Sequence, residues 1–323
     1  MAIASQVHFQ TLVYATSLPE AFVGAGGAAA VDAVSYENAP SNASIGSYDI
    51  GVVIDMANSN SNTGWASADS YVGVEELIGS RFTDAIYGDA AGNIIDGGGS
   101  PDFIFGREGD DVLLGGGGFD FVWGDAGNDI IDGQWQTDQL HGGDGDDQLW
   151  GGTNYIAHVY PGTNYADILY GDAGNDELHG DARPPAAGLR TEYDPKLDFM
   201  AGADELHGGP GNDRLNGDGG DDKLWGDAGA DSFIFDPSYT VLDATGAPLR
   251  ISPGNDVVFD FNAGEGDTLN LNGEIYTTSD NPEGYRIFML EPVNGALQIA
   301  GTVTLSNLHS FNDAWVTSGY HLV

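Results

Sequence analysis

Carboxylates recur inside glycine-rich turns through the middle of this chain, and they are the side chains with the clearest chemistry. The stretch GGDGDDQLWGG, residues 142–152, places Asp144, Asp146 and Asp147 in one such turn, followed by the apolar Leu149. Like charges repel each other and glycine loses much conformational entropy on ordering, so such a turn needs a cation to become compact. Calcium takes about six to eight hard oxygens, which two stacked turns can supply as main-chain carbonyls plus one aspartate carboxylate from each. The residue types therefore favour calcium sites between successive turns.

A nine-residue repeat sets the spacing of these turns. Fourteen units run from Gly79 to Ile234; the first eight are contiguous over 79–150, and two later units carry insertions, at 153–165 and 182–201. Position one is Gly in all fourteen units, position six is Asp in thirteen and Asn93 in one, and position eight is apolar in all. Three fixed columns at one period indicate a solenoid rather than a set of unrelated acidic turns.

The period also predicts how the coils stack. The three residues after the aspartate form a short strand whose middle side chain points inward. Nine residues make half a coil and eighteen make a full one, so odd-numbered units form one parallel sheet and even-numbered units the other, with about 4.8 Å between coils. Asp147 is then expected to share an ion with Asp129 or Asp167, and not with Asp138.

The candidate calcium ligands are the sixth-position aspartates, together with turn glycines that leave room for carbonyl oxygens to face the ion. The aspartates are Asp84, Asp102, Asp111, Asp120, Asp129, Asp138, Asp147, Asp167, Asp176, Asp204, Asp213, Asp222 and Asp231. The glycines are Gly106, Gly109, Gly115, Gly117, Gly124, Gly127, Gly142, Gly145, Gly171, Gly174, Gly208, Gly211, Gly217 and Gly226. Turns paired two apart allow about twelve sites, which the insertions and Asn93 reduce to roughly eight to ten calcium ions.

The units follow the pattern G-G-x-G-x-D-x-U-x, and the chain resembles the RTX, or hemolysin-type calcium-binding, family. The segments DAVSYENAPSNASIGSYDIGVVIDM and GVEELIGS look like the lead-in to such arrays, and GNDVVFDFNAGEGDTLNL looks like the region that follows them. The resemblance implies an all-β fold, a right-handed parallel β-roll (β-solenoid) that folds on calcium outside the cell after Sec-independent, type I secretion. Asp256, Asp260 and Asp267 match the motif after the array, and Asp256 and Asp260 become candidate ligands of a last ion.

Three regions are expected on this basis. Residues 1–78 form an N-terminal capping region, with short strands near 33–36 and 50–56 and a polar turn at 55–64, where Asp55 is a weaker calcium candidate. Residues 79–234 form the calcium-binding roll, and residues 235–323 form a β-rich C-terminal cap. The apolar ending SGYHLV is consistent with a type I export signal.

Position nine carries rings in every odd-numbered unit, which predicts a ladder of aromatic and imidazole side chains on the outer face of one sheet. Its members are Tyr87, Phe105, Trp123, His141, Tyr170, His207 and Trp225. Phe103 and Phe121 at position seven widen it into an apolar patch. Either an insertion, the N-terminal segment or a second copy covers this surface, or Tyr87, Phe105, Trp123, Tyr170 and Trp225 bind a sugar or a partner.

Composition excludes several classes of function. The chain has 50 acidic and 9 basic side chains and a formal charge of −41, which argues against binding to nucleic acid or to anionic membranes. It has no cysteine, so no disulfide framework exists, and it has no apolar run of membrane-spanning length. The N-terminus lacks a Sec signal because its first basic residue is Arg81.

No catalytic motif accompanies the repeats. The sequence has neither H-E-x-x-H nor G-x-S-x-G, the signatures expected of protease and lipase relatives. The first hypothesis is therefore a secreted calcium-binding protein with a binding or structural role, such as an adhesin, matrix or surface component. The alternative is an accessory module or variant of a polysaccharide-active, epimerase- or lyase-associated enzyme that holds glycan on the aromatic face.

Overall fold

The computed structural model describes residues 9–15, 20–23, 31–41, 43–45, 48–152, 166–181, 202–235, 239–242, 248–251, 254–281, 284–293, 296–308 and 312–321. Regular structure in these residues is almost entirely β, with three short 3-10 helices at Ser59–Ser61, Gly64–Ala66 and Asp313–Trp315. Two compact units divide the described residues, the first ending at Gln148 and the second beginning at Leu149. The predicted insertions at 153–165 and 182–201 lie outside the described residues.

Short strands fill the first unit because each repeat offers only a few consecutive side chains between glycine-rich turns. They are β1 (Phe9–Tyr14), β2 (Ala21–Val23), β3 (Val31–Ser35), β4 (Ala43–Ile45), β5 (Tyr48–Asp55), β6 (Ser70–Val72), β7 (Glu76–Ile78), β8 (Thr83–Tyr87), β9 (Ile94–Asp96), β10 (Phe103–Glu108), β11 (Val112–Gly117), β12 (Phe121–Ala126), β13 (Ile130–Trp135) and β14 (Gln139–Asp144), with β15 (Gln148–Gly152) at its end.

Parallel pairing in this unit links strands eighteen residues apart. Strands β8, β10, β12 and β14 pair in that order, and the aligned residues include Ile86, Ile104, Val122 and Leu140. The even-numbered repeats form a second series, in which β9, β11 and β13 align Ile95, Leu113 and Ile131. The predicted division of odd and even units between two parallel sheets is confirmed.

The same pairing begins before the first repeat. Strand β5 pairs with β8 through Ile54 and Ile86, and β7 pairs with β9 through Leu77 and Ile95. Strand β3 continues this series by pairing with β7. The strands expected near 33–36 and 50–56 are therefore present as β3 and β5, and they extend the stack of coils.

The second unit repeats this arrangement and ends in longer strands. Its strands are β16 (Ile168–Ala173), β17 (Glu177–Asp181), β18 (Glu205–Pro210), β19 (Arg214–Asn216), β20 (Lys223–Ala228), β21 (Ser232–Ile234), β22 (Tyr239–Leu242), β23 (Pro248–Ile251), β24 (Gly254–Val258), β25 (Thr268–Asn281), β26 (Gly284–Val293), β27 (Ala296–Leu305) and β28 (Val316–His321). Leu169, Leu206, Leu224 and Val258 align in one series of parallel strands. Strands β25, β26 and β27 then form an antiparallel meander.

The apolar core is the column of eighth-position side chains. All fourteen, from Ile86 to Phe233, are 0% exposed, and Val258 and Leu269 continue the column after the array. Full burial of each such side chain stabilises the fold by about 1.5–3 kcal/mol. One apolar residue in nine is a thin core, so the stability of the coils must also depend on the turns.

Arg107 ties the coils of the first unit to the strand that precedes them. Its Nη1 and Nη2 donate to Oδ1 and Oδ2 of Asp55 at 2.9 and 3.0 Å, and Nη1 also donates to the Gly88 carbonyl at 2.7 Å. The guanidinium lies 5.4 Å from the centre of the Tyr87 ring. Both oxygens of Asp55 are engaged by this arginine, so the structure gives Asp55 an ion-pairing role in place of the calcium role considered above.

We expect Arg107→Ala to lower the free energy of unfolding by about 2–4 kcal/mol, because it leaves the 7%-exposed Asp55 carboxylate without its counter-ion. The matched control is Arg214→Ala, which removes an exposed ion pair with Glu177 at 3.4 Å and is expected to cost about 0–0.5 kcal/mol. Denaturant unfolding in saturating calcium measures both variants. Equal losses would contradict the role assigned to Arg107.

No helix in the described part of the chain is long and apolar enough to span a bilayer.

Candidate metal centres

The sixth-position carboxylates are buried side by side within each compact unit. All thirteen of these aspartates are at most 1% exposed. In ten of them Oδ1 accepts the backbone N–H of the sixth-position residue one coil earlier, as Asp120 does from Asp102 and Asp147 does from Asp129, at 2.8 and 2.7 Å, whereas Oδ1 of Asp84 accepts the N–H of Val52 at 2.6 Å. The pairing of Asp147 with Asp129, and of Asp138 with Asp120, confirms the expected spacing of two units.

The second carboxylate oxygen has a different environment. In eight of these aspartates Oδ2 is buried and has no hydrogen-bond partner among the described residues: Asp102, Asp111, Asp120, Asp129, Asp204, Asp213, Asp222 and Asp231. A buried carboxylate oxygen without a partner is strongly unfavourable, since desolvation of the charge is not compensated. A repeated set of such oxygens in a natural sequence indicates that a cation completes them.

Position-one glycines leave the space in which this oxygen lies. A Cβ added to Gly115 would lie 2.7 Å from the carbonyl oxygen of Gly133 and 2.8 Å from Oδ2 of Asp120. In the second unit a Cβ on Gly180 would lie 2.5 Å from Asp204 Oδ2 and 2.6 Å from the Gly217 carbonyl oxygen. Any larger side chain would therefore fill the space that one carboxylate oxygen and one carbonyl oxygen share between coils.

Positions two and four supply further carbonyl oxygens. Position two adopts left-handed backbone even without glycine, with φ of +71° at Asp125 and +72° at Gln134. At position four, φ is +115° at Gly109 and +148° at Gly127. The carbonyl oxygens of Gly98 at position two and Gly127 at position four face the α-carbons of Gly116 and Gly145 in the next coil. These conformations turn main-chain oxygens into the space between coils, as sequence analysis expected of the glycines.

The candidate glycines fall into three groups by position. Position one holds Gly106, Gly115, Gly124, Gly142, Gly171, Gly208, Gly217 and Gly226; position four holds Gly109, Gly127, Gly145, Gly174 and Gly211; Gly117 occupies position three. A Cβ on Gly117 would meet only the Trp135 ring, at 3.2 Å, so this glycine has no comparable close approach to the carboxylate column. Its assignment as a ligand-forming glycine stays a prediction.

The donor set in each space fits calcium. Its atoms are carboxylate and carbonyl oxygens, the hard ligands that calcium prefers. Among the described residues no group of three or more His, Cys, Asp or Glu side chains could hold a metal, so main-chain carbonyls must complete the coordination. This composition matches the expectation of one carboxylate from each turn plus carbonyls.

Burial makes these carboxyl groups weak acids in the absence of a cation. Burial, with the charges of Asp120 and Asp84, raises the pKa of Asp102 to about 11. Burial likewise raises the pKa of Asp111 and Asp120 to about 7 and that of Asp129 to about 6. In the second unit the pKa of Asp222 rises to about 11 by burial and the charges of Asp256 and Asp204. A bound cation would offset this cost.

The segment after the array completes the last coils. Oδ1 of Asp256 accepts the N–H of Asp222 at 3.1 Å, and Oδ1 of Asp267 accepts that of Asp231 at 3.0 Å, as sixth-position aspartates do. Asp260 instead accepts the N–H groups of Gly226 and Asp227, at 3.0 and 2.8 Å. Asp256 and Asp267 are thus the structural equivalents of the repeat aspartates, a pairing that the irregular spacing after the array concealed.

Asn93 breaks the carboxylate column of the even-numbered units. Its Oδ1 accepts the N–H of Asp89 at 2.8 Å, and its N–H donates to Asp111 Oδ1 at 2.6 Å. The Asn93 side chain occupies the position of a sixth-position aspartate but carries no negative charge. The loss of a calcium site at this coil stays a prediction.

The predicted ring ladder is present in both units. Tyr87, Phe105, Trp123 and His141 stack with ring centres 4.7, 4.6 and 5.8 Å apart, and the exposed Phe103 stacks on Phe121 at 5.2 Å. In the second unit the ladder runs Tyr170, His207, Trp225 and Phe259, at 5.0, 4.5 and 4.3 Å. Phe259 was missed because it follows the array, although Val257, Val258 and Phe259 repeat the strand pattern of each unit.

Stacking has a consequence for ligand binding by these rings. Adjacent rings occupy each other's faces at interplanar angles of 3–14°, so the ladder presents ring edges to solvent. A pyranose binds an aromatic platform through the open ring face. Sugar binding at Tyr87, Phe105, Trp123, Tyr170 and Trp225 stays a prediction that this ring geometry does not favour.

Comparison with known proteins matches the repeats with a family. The RTX calcium-binding nonapeptide repeat (4 copies) matches residues 72–104, 87–122, 105–140, 137–154, 161–182 and 200–233. No curated protein sequence matches the chain significantly.

Two solved structures resemble the chain at low identity. The AlgE6R3 subunit of the Azotobacter vinelandii mannuronan C5-epimerase is 22% identical, over 57% of this chain and 78% of that one, with a TM-score of 0.27. The extracellular lipase LipA of Serratia marcescens is 20% identical, over 72% of this chain and 39% of that one, with a TM-score of 0.18. The fold assignment depends instead on the parallel pairing of strands eighteen residues apart and on the repeats, and it is the expected parallel β-roll. Residues 72–154, 161–182 and 200–233 therefore carry RTX calcium-binding nonapeptide repeats.

Proposed function

We propose that the chain is a secreted protein that stays expanded at cytosolic calcium, folds as a β-roll on extracellular calcium and then serves a binding or structural role. The observation that carries this proposal is the column of buried Oδ2 atoms, which have no hydrogen-bond partner among the described residues. In six of these eight aspartates, Oδ2 lies beside a glycine that also approaches a carbonyl oxygen, so a bound cation would turn an electrostatic cost of the fold into a stabilising interaction.

The net charge of the chain and its RTX repeats support the proposed extracellular location. A chain with a formal charge of −41 repels itself until cations bind, which keeps it extended where calcium is scarce. Extracellular calcium modules bind with dissociation constants of about 10⁻⁴–10⁻³ M, which suits the difference between cytosol and exterior. RTX repeats are typical of secreted proteins, and type I export is the route that we propose for this one.

Calcium binding measured by equilibrium dialysis, with circular dichroism on the same samples, tests the proposal. At millimolar free calcium we expect roughly eight to ten bound ions per chain, and at micromolar calcium almost none. The Asn93→Asp variant is a matched gain-of-site control, because it restores the missing carboxylate and is expected to add about one ion. Binding of only one or two ions, or β-structure that appears without bound calcium, would contradict the proposed role.

A further inference from the structure

Asp181 lies outside the repeated ligand positions, yet its carboxylate is directed between two coils. It occupies position two of the unit at 180–207, immediately before the insertion at 182–201. Its Oδ1 accepts the N–H of Gly202, on the far side of that insertion, at 3.3 Å. Its Oδ2 accepts the N–H of Gly219, in the next coil of the same sheet, at 3.1 Å. The side chain therefore joins both ends of the interrupted turn to the coil that follows.

The space between these coils also contains the usual pair of sixth-position aspartates. Asp204 is 0% exposed, and its Oδ2 has no hydrogen-bond partner among the described residues. That oxygen faces the α-carbon of Gly180, beside the carbonyl oxygen of Gly217. Asp222 accepts the N–H of Asp204 at 2.8 Å, as in the other coils. The gap thus holds a partnerless buried oxygen and a carbonyl, with Asp181 as a third carboxylate.

Second-position residues differ in charge and in the groups that their side chains contact. Glycine fills this position at Gly98, Gly116, Gly143 and Gly209, and Asp125 is exposed to solvent. Asp218, in the coil after Asp181, has its Oδ2 3.4 Å from Nδ1 of His179 and its Oδ1 bonded by the Asn216 amide. Asp181 is half-buried, and burial together with the charges of Asp204 and Asp218 raises its pKa, so its carboxylate repels those of its neighbours until a cation is bound.

We propose that Asp181 creates the tightest cation site of the second compact unit. This site lies in the gap between the repeat at 180–207 and the repeat at 217–225. This inference rests on the proposed calcium binding of the gaps. The contribution that we assign to Asp181 is its negative charge, since each of its oxygens accepts a backbone N–H group, from Gly202 and from Gly219. A negative charge beside a cation site strengthens binding by Coulomb attraction, and we expect at least about a tenfold effect here.

Asp181 also connects the two sides of the interrupted turn. It lies immediately before the insertion at 182–201, and its carboxylate accepts the N–H of Gly202 immediately after it. A tightly bound cation beside Asp181 would hold both residues in place.

The test compares Asp181→Asn with Asp172→Asn. Asp172 is the matched control because it also occupies position two, with a left-handed φ of +64°, but lies opposite Gly209. Calcium-binding isotherms of the full chain, measured by competition with a chromophoric chelator, resolve the tightest class of sites. We expect Asp181→Asn to weaken one ion of that class by about tenfold or more, and Asp172→Asn to change it by less than about threefold. Equal effects, or no effect of Asp181→Asn, would overturn the inference.

A second pair separates charge from shape. Asp181→Glu and Asp181→Gln have the same size, so any strain from the longer side chain is common to both, and only Glu retains the charge. We expect Glu to bind the tightest ion at least about fivefold more strongly than Gln, and equal affinities would overturn the role of charge. The wild-type protein tests the proposed function separately. If it binds no calcium, the proposed function fails. If it binds calcium but the Glu and Gln variants have equal calcium affinities, only the role of Asp181 is refuted.

Discussion

Removal of calcium at neutral pH is expected to unfold the repeat array, and acidification of the calcium-free protein toward pH 4 is expected to restore part of its β-structure. Burial raises the pKa of Asp84 from 3.8 to about 6 and that of Asp213 and Asp231 to about 7. The folded state therefore holds more protons than the unfolded state between about pH 4 and 7. Stability is present below this range and is lost as the pH rises through it.

Bound calcium reverses this dependence of stability on pH, because the ion and the proton compete for the same carboxylates. The calcium-loaded protein is expected to be most stable near neutral pH and to lose calcium affinity as the pH falls. Circular dichroism and hydrodynamic radius, measured from pH 4 to 8 with calcium or with a chelator, give both curves. A chelated protein that keeps its β-signal and compact radius at pH 7 would show that cations do not hold the coils together.

Gly97→Ala is expected to be far more damaging than Gly99→Ala, although both glycines belong to one repeat. A Cβ on Gly97 would lie 2.5 Å from the Gly115 carbonyl oxygen, 2.8 Å from Asp102 Oδ2 and 3.1 Å from Ile104. The nearest atom to a Cβ on Gly99 would be the Arg81 α-carbon at 3.9 Å. The Cβ introduced by Gly97→Ala would occupy the space proposed for the cation and would clash with a backbone carbonyl. The Cβ introduced by Gly99→Ala would make only a van der Waals contact.

We expect Gly97→Ala to lower the free energy of unfolding in saturating calcium by about 3 kcal/mol or more, and to remove about one bound ion. Gly99→Ala is expected to stay within about 0.5 kcal/mol of the wild type and to keep every ion. Denaturant unfolding and calcium stoichiometry measure the two effects separately. If Gly97→Ala retained both values, position one would not border a metal site.

Periodicity was sufficient to predict the stacking of the coils. A nine-residue repeat with one inward side chain has few ways to bury it, so the alignment of Ile104 with Val122 follows from the spacing alone. The burial of the carboxylates also follows, because a column of aspartates beside invariant glycines has no other function in a compact solenoid. Glycine was expected at position 115 because of its turn conformation. The structure gives another reason, since a Cβ on Gly115 would lie too close to a carbonyl and a carboxylate oxygen.

Features that depend on a departure from the period were not predictable. Asp267 was named from the motif after the array, but that it takes the place of a repeat aspartate 36 residues after Asp231 is seen only in the hydrogen bond between them. Asp181 looks like any other second-position residue until the backbone after the insertion returns to donate Gly202 N–H to it. Side-chain direction at such points is decided by contacts between distant residues, and local pattern carries no information about them.

The direction of the carboxylate hydrogen bonds also bears on how such an array can evolve. Within each compact unit, the described coils receive this acceptor from the coil that follows them in the chain, and the last two receive theirs from Asp256 and Asp267. Duplication or deletion of eighteen residues within the array preserves this relation, since each added coil brings both its own donor and an acceptor for its predecessor. Length is thus free to drift between lineages, while the terminating segment must be inherited intact.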